Sequence, residues 1–426
     1  MFGLRPVLMS GLEAHKLSTP TPIQARAIPM IMQGRDILGL AQTGTGKTLA
    51  FGLPLMHALL GAGRPAPKTT QALILAPTRE LVNQIAETLN GFARKTPLKV
   101  QRVVGGAGLN PQIQKLAKGC DILVATPGRL LDLLDRRALT LSETQMLVLD
   151  EADQMLDLGF IHALRRIAGL LPRERQTLMF SATMSKQMNE IADAYLDHPE
   201  RIQVAAPGRP AEKIDQSVHF VAHGDKARLL EDYLKAHPEE RALVFARTKH
   251  GAEKLMKLLN SWDIPAGSIH GNKSQAQRER TLQAFREGRI NVLVATDVAA
   301  RGIDIPDMRH VYNYELPEVP ENYVHRIGRT ARAGASGRAI AFCAPAEMGD
   351  LRAIERLMKR DLAVAGGTAW PDELAGPARA QARKRGPARG GPRPAAKPAR
   401  AGGRRRAPGN KSGGKSGGKD RVRHSA

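Results

Sequence analysis

The chain has 426 residues, 42% of them hydrophobic, and a formal net charge of +23. That length is too great for one ordinary core and implies two domains with a tail. The two cysteines, Cys120 and Cys343, each beside an apolar run, exclude a disulfide framework and a cysteine-rich metal module. No apolar run nears the roughly 18–20 residues of a membrane span, and the N-terminus lacks the charged-then-apolar order of a signal peptide. The expectation is therefore a cytoplasmic protein, with no membrane association and a polyanionic partner.

In chain order, "STPTPIQ" at residues 18–24 places Thr21 as a helix N-cap and Pro22 at the first helical position. The strand-like run "DILGL" then leads directly into "AQTGTGKT", residues 41–48, and a helical stretch follows. This is the context of a phosphate-binding loop. Residues Thr43 to Thr48 form its turn: Gly44 and Gly46, flanking Thr45, let backbone N–H groups point inward. Lys47 supplies a cation near the β- and γ-phosphates, and Thr48 offers a hydroxyl to Mg²⁺. Ala41 stands where the general pattern has its first glycine.

The runs "ALILAP", "DILVAT", "MLVLDE" and "TLMFSAT" continue the first half. Short unbroken apolar strands separated by helices indicate parallel sheets covered on both faces, an α/β class. "MLVLDEAD", residues 146–153, ends one strand in three carboxylates, a costly cluster unless a cation compensates. With the phosphate loop upstream, Asp150 is expected to hold Mg²⁺ and Glu151 to orient or deprotonate water; acids decorating a helix N-terminus are the plainer alternative.

"AAPGRPAEK", residues 205–213, reads as a linker. Beyond it the first half recurs: "ALILAPTRELVNQIAETLN" from Ala72 parallels "ALVFARTKHGAEKLMKLLN" from Ala242, and "ILVAT" at Ile122 parallels "VLVAT" at Val292, each 170 residues on. A duplicated α/β unit follows, with domains at 1–204 and 214–366. The second copy adds "RHVYNY" and "RAIAFC" and, between them, "HRIGRTARAG" at 325–334. If that stretch is helical, His325, Arg329 and Arg332 fall at i, i+4 and i+7, with Arg326 in i, i+3, i+6 register with the arginines. "IERLMKRDL" reads as a last amphipathic helix. Residues 367–426 hold 16 Lys or Arg against three acids and one aromatic, Trp370, leaving +10 for the rest. Gly, Pro and cations without periodicity predict a disordered tail that contacts phosphate rather than stacking on bases.

"AQTGTGKT", "APTREL", "TPGRL", "DEAD", "SAT", "ARGID" and "HRIGRTAR" resemble, in order, the motifs of DEAD-box ATP-dependent RNA helicases, over about residues 3–343. "IHGNKSQAQRERTLQAFREGRINVLVATDVAARGIDI" looks most like the bacterial RhlE-like subgroup. The resemblance implies two tandem RecA-like domains that close on ATP and RNA together. It implies that Arg329 and Arg332 reach the γ-phosphate across the cleft. His325 and Arg326 would link that segment to the acids, including Asp153, and to Ser181, Ala182 and Thr183. It implies that Gln24 reads adenine through its amide, although Leu17 stands where relatives usually have an aromatic residue. Arg301 and Asp304 would couple the RNA and nucleotide sites, Asp304 from the nucleotide side. RNA-backbone contacts carry over to Pro77, Thr78, Arg79, Gly105, Gly106, Thr126, Pro127, Gly128 and Arg129, and to Arg247, Thr248, Gln275, Arg278, Thr296 and Asp297. Ribosome-assembly or RNA-decay complexes are the expected settings. The rival readings are an ATP-gated RNA clamp or annealing factor dominated by the tail, and a DNA helicase on the same scaffold.

Overall fold

A computed structural model describes residues 2–41, 44–204, 214–300, 308–330 and 336–371. The first half forms strands β1 (Ile37–Leu40), β2 (Thr70–Leu75), β3 (Val100–Val103), β4 (Cys120–Ala125), β5 (Met146–Leu149), β6 (Gln176–Ser181) and β7 (Glu200–Gln203). They build one parallel sheet in the order β3-β4-β2-β5-β6-β1-β7. The second half forms β8 (Ile214–Phe220), β9 (Arg241–Phe245), β10 (Ala266–Ile269), β11 (Val292–Ala295), β12 (Met308–Asn313), β13 (Gly337–Cys343) and β14 (Ala363–Gly366). Their order, β10-β11-β9-β12-β13-β8-β14, repeats the first strand for strand. The duplication extends to register: Ala72 faces Ile122, and 170 residues on Ala242 faces Val292.

Why the central strands read as unbroken apolar runs is plain from the packing. Along β2, Ala72 and Ile74 enter the core on one face while Leu73 and Leu75 enter the core on the other. In β9, Leu243 and Phe245 likewise separate from Ala242 and Val244. A strand with helices on both sides must be apolar at every position, and each such side chain contributes about 1.5–3 kcal/mol relative to exposure. The two cysteines are free, buried thiols, and burial pushes both up to about 12.

The packed chain continues past Gly366, where the tail was expected to begin. Trp370 rests against the second core, and its indole Nε1–H donates to the Cys343 carbonyl at 3.1 Å. The linker at 205–213 and tail residues 372–426 lie outside the described residues. Among the described residues no helix is long and apolar enough to cross a membrane.

Both lobes turn a lysine inward at the same corner of the fold. Lys47 opens the helix Lys47–Leu59 after β1, and Lys226 opens the helix Lys226–Ala236 after β8. Lys226 is fully buried, and its ammonium donates to Tyr314 O (2.8 Å), Phe342 O (2.9 Å) and Glu347 Oε2 (2.5 Å).

Candidate active site and nucleic-acid interface

The glycine-rich turn after β1 is positioned by backbone geometry that only glycine adopts freely. Gly44 and Gly46 have φ of +80° and +91°, the left-handed region. A Cβ on Gly46 would stand 2.6 Å from Gln24 Nε2 and 2.9 Å from Thr21 Oγ1. Gln24 explains that crowding: its Nε2 donates to the Gly46 carbonyl at 3.0 Å while its Oε1 accepts from Thr21 N at 3.0 Å. The amide expected to read a base thus ties the entry helix, Pro22–Met32, to the loop, and both its functions are engaged internally. Lys47 is buried; its ammonium donates to Ala41 O at 3.2 Å and lies 3.6 Å from Asp150 Oδ1. Thr48 follows on the first helical turn, and Thr45 precedes within the loop. Thr43 lies outside the described residues.

At the end of β5 the carboxylates are buried, with Asp150 2%, Glu151 3% and Asp153 7% exposed. Glu151 has φ +53°, a conformation costing a non-glycine residue on the order of 1–3 kcal/mol. Burial raises the carboxyls of both Asp150 and Glu151 above their ordinary values. The Lys47 ammonium opposes this at both, and the Arg329 guanidinium opposes it at Glu151. Asp150 Oδ1 and Glu151 Oε2 have no hydrogen-bond partner among the described residues. Two buried, unsatisfied carboxylate oxygens beside a lysine are a donor set that fits a hard divalent cation. Asp153 is spent differently: its Oδ2 accepts from Ala182 N (3.0 Å), Thr183 N (2.9 Å) and Thr183 Oγ1 (3.1 Å). Ser181 closes the turn by donating its hydroxyl to Thr183 O at 2.7 Å. The acids and "SAT" are thus brought together by direct contact.

A cavity of about 510 Å³ joins the lobes here, walled by Lys47, Glu151 and Thr183 on one side and by His325, Gly328 and Arg329 on the other. The helix Pro320–Ile327 stops before Arg329, because Gly328 begins tight turns in which Arg329 N bonds Arg326 O and Thr330 N bonds Ile327 O. The expected single helical face through residue 332 is therefore not formed: His325 lies on the helix and Arg329 on the turn beyond it. Arg329 is 5% exposed, and its Nε donates to His325 O at 3.3 Å. Arg332 lies outside the described residues. Arg326 departs from expectation. It points into its own lobe, donating Nε and Nη2 to the two Asp297 oxygens at 2.5 and 2.8 Å, and Nη1 to Asn313 and to Glu315 O. A guanidinium 2% exposed needs all its donors satisfied. Arg326 is therefore turned away from the acids, with Asp297 as its ion-pair partner.

The expected nucleic-acid residues gather at strand-to-helix turns. Pro77 and Thr78 follow β2, and Thr78 Oγ1 caps Arg79–Ala93 by accepting from Leu81 N at 3.3 Å. Arg79 lies over Gly105 and Gly106; a Cβ on Gly106, at φ +74°, would be 2.2 Å from the guanidinium. Gly106→Ala should therefore displace Arg79 and lower RNA affinity about tenfold, a loss of about 1.4 kcal/mol measurable by fluorescence anisotropy. Thr126 precedes the helix Pro127–Asp135, which starts with Pro127, Gly128 and Arg129; Arg129 Nη1 donates to Ala107 O at 3.1 Å. In the second lobe Thr248 Oγ1 caps Lys249–Asn260 from Gly251 N at 3.0 Å, and Thr296 precedes the short helix Asp297–Ala300. Arg247 is turned inward to Leu316 O (2.7 Å) and Asp350 (3.2 Å), so its guanidinium braces the lobe. Gln275 and Arg278 meet the first lobe: Gln275 Oε1 accepts from Arg79 at 3.5 Å, and Arg278 lies 2.9 Å from Glu80 Oε1. Glu80 was not singled out from sequence, although an acid in a helix's first turn beside "TR" was its visible signal. Arg301 and Asp304 lie outside the described residues.

The DEAD/DEAH box helicase family profile matches residues 21–191, and the helicase conserved C-terminal domain profile matches 225–334. The chain is 43% identical over 383 residues to "ATP-dependent RNA helicase CshA" of Listeria monocytogenes, covering 90% of this chain and 73% of that protein. It is 43% identical over 361 residues to CshA of Bacillus subtilis, covering 85% and 72%. The fold is similar to that of S. cerevisiae Dbp5 bound to RNA and ADP BeF3 (TM-score 0.76, 31% identity, 88% of this chain and 96% of that one). It is also similar to that of a truncated Mss116p bound to ssRNA and AMP-PNP (TM-score 0.78, 28% identity, 87% and 78%). These relatives carry the name CshA, so the RhlE-like subgroup expected from sequence is not supported.

Proposed function

The chain belongs to the DEAD-box ATP-dependent RNA helicases, and on that premise we propose how its own residues divide the work. It uses ATP and binds RNA as two tandem RecA-like units. The observation that carries the assignment is the shared cavity: Lys47 and Glu151 come from one lobe and His325 and Arg329 from its copy. Lys47 takes the terminal phosphates in place of its present contact with Ala41 O. The unsatisfied Asp150 oxygen and the Thr48 hydroxyl hold Mg²⁺, which neutralises phosphate charge when bound. Glu151 orients and deprotonates the attacking water, and Arg329 and Arg332 stabilise charge spreading over the transferred phosphoryl group.

Asp153 transmits lobe closure to Ser181, Ala182 and Thr183 through its three hydrogen bonds to that turn. RNA lies along Arg79, Gly105, Gly106, Thr126, Arg129, Gln275 and Arg278, contacted through its backbone with little reading of sequence. Closure bends one strand so that it no longer pairs, which separates short duplexes and remodels ribonucleoproteins. Domains at 1–204 and 214–371 with a basic extension beyond, a cytoplasmic location, and work in ribosome assembly or RNA decay complete the reading. The decisive experiment compares stimulation of ATPase by RNA and DNA, and duplex separation, in the full chain and in a chain lacking residues 372–426. RNA-selective stimulation that survives removal of the tail is expected. Equal stimulation by DNA, or strand annealing that needs the tail and no ATP, would overturn it.

A further inference from the structure

The catalytic cavity occupies the C-terminal ends of the parallel strands, and a different cluster sits toward the N-terminal ends of β9 and β12, two central strands of the second sheet. His237 ends the helix Lys226–Ala236 as its C-cap residue, Glu240 immediately precedes β9, and His310 lies in β12, whose register places it against Ala242 of β9. One donor atom from each of His237, Glu240 and His310 lies within 4.8 Å of one from each of the others. His310 Nε2 hydrogen-bonds Glu240 Oε2, and His237 Nδ1 is 4.0 Å from that same oxygen. The two imidazoles stack with centroids 4.7 Å apart.

We propose that His237, Glu240 and His310 form a binding site for a borderline divalent transition cation, with zinc as its expected occupant. Two imidazole nitrogens and one carboxylate are a zinc-type donor set, poorly suited to calcium or magnesium, which prefer all-oxygen shells. Zinc bonds of about 2.0–2.2 Å place tetrahedral ligand atoms roughly 3.3–3.6 Å apart, so the hydrogen-bonded His310–Glu240 pair must open to admit the ion while His237 closes on it from 4.0 Å. The side chains of His237 and Glu240 are 34% and 45% exposed and can make that movement, while that of buried His310, 4% exposed, supplies the fixed point.

His310 Nδ1 and the hydroxyl of Tyr312, whose ring stacks on His310 at 5.8 Å, have no partner among the described residues. One neighbour opposes a cation: Arg338 Nη1 is 3.2 Å from His237 Nε2. Arg338 has Asp215 as a second partner, 4.0 Å from its Nε, and keeps it when His237 is released. Arg338 is therefore a competitor for the same imidazole, which gives the site a signature of opposite sign.

The test uses the full-length, nucleotide-free protein, stripped with EDTA and exchanged, with Zn²⁺ delivered against a chromophoric chelator and Co²⁺ as a spectroscopic probe. Wild type is expected to hold one Zn²⁺ and to give the visible band of a four-coordinate Co²⁺ site. Glu240→Gln and His237→Gln should each weaken binding at least about tenfold and remove the band, whereas Arg338→Gln should tighten it. RNA-stimulated ATPase should stay unchanged in all three, because none belongs to the nucleotide or RNA machinery. His310→Gln should also lose the metal; if it fails to fold, the three surface variants decide. The proposal is overturned if wild type competes no Zn²⁺ from the chelator, or if the Glu240 and His237 variants bind as wild type does.

Discussion

Arg329→Ala is expected to lower RNA-stimulated ATP hydrolysis by about 10³–10⁵ while changing ATP affinity far less. The guanidinium is 5% exposed at the rim of the interlobe cavity and already acts on the Glu151 carboxyl. On the proposed mechanism Lys47 and a bound Mg²⁺ would balance the ground-state phosphate charge, and the additional charge would develop on the phosphoryl oxygens only as the bond breaks. A cation brought from the second lobe is therefore worth most in the transition state, and its removal should fall on kcat rather than on KM. Single-turnover hydrolysis with saturating RNA measures this directly. A variant turning over at the wild-type rate would mean that this turn does not reach the phosphate. Arg329→Lys should restore little, since a point charge does not reproduce the planar fork.

Glu151→Gln should lower hydrolysis by about 10²–10⁴, the contribution usual for a positioned general base, while leaving ATP and RNA bound together. Its second effect has the opposite sign. Burial raises the Glu151 carboxyl, so the folded state favours the protonated form and stability is given up as pH rises through that raised value. A neutral amide avoids that cost, and at neutral pH the nucleotide-free variant should melt above wild type in differential scanning calorimetry. An inactive variant that also melted lower would indicate a lost structural contact rather than a lost base.

The extent to which the sequence disclosed the molecule follows from what each element is made of. β2, β4, β5, β9 and β11 are buried on both faces and therefore appear as unbroken apolar runs. β3, β7, β10 and β14 lie at the sheet edges, short and partly polar or exposed, and carry no such run. β8, beside an edge, alternates buried and exposed positions and was likewise hidden. At the site, Lys47, Asp150 and Glu151 were legible because local spacing fixes them on one turn or strand end. The partners of Arg326 and Arg278 were not. Asp297 is 29 residues from Arg326, and Glu80 is in the other lobe, so both pairings depend on how distant turns are brought together.

The inward-turned Lys226 has a consequence for anion binding. In the first lobe the corresponding ammonium faces a hollow that an outside anion can enter; in the second, Glu347 is a permanent tenant covalently supplied by the chain itself. That carboxylate does for Lys226 what a triphosphate would otherwise do, at no cost in translational entropy. Glu347 thus closes the second lobe's corner from within, and the ammonium there is not offered to an outside anion.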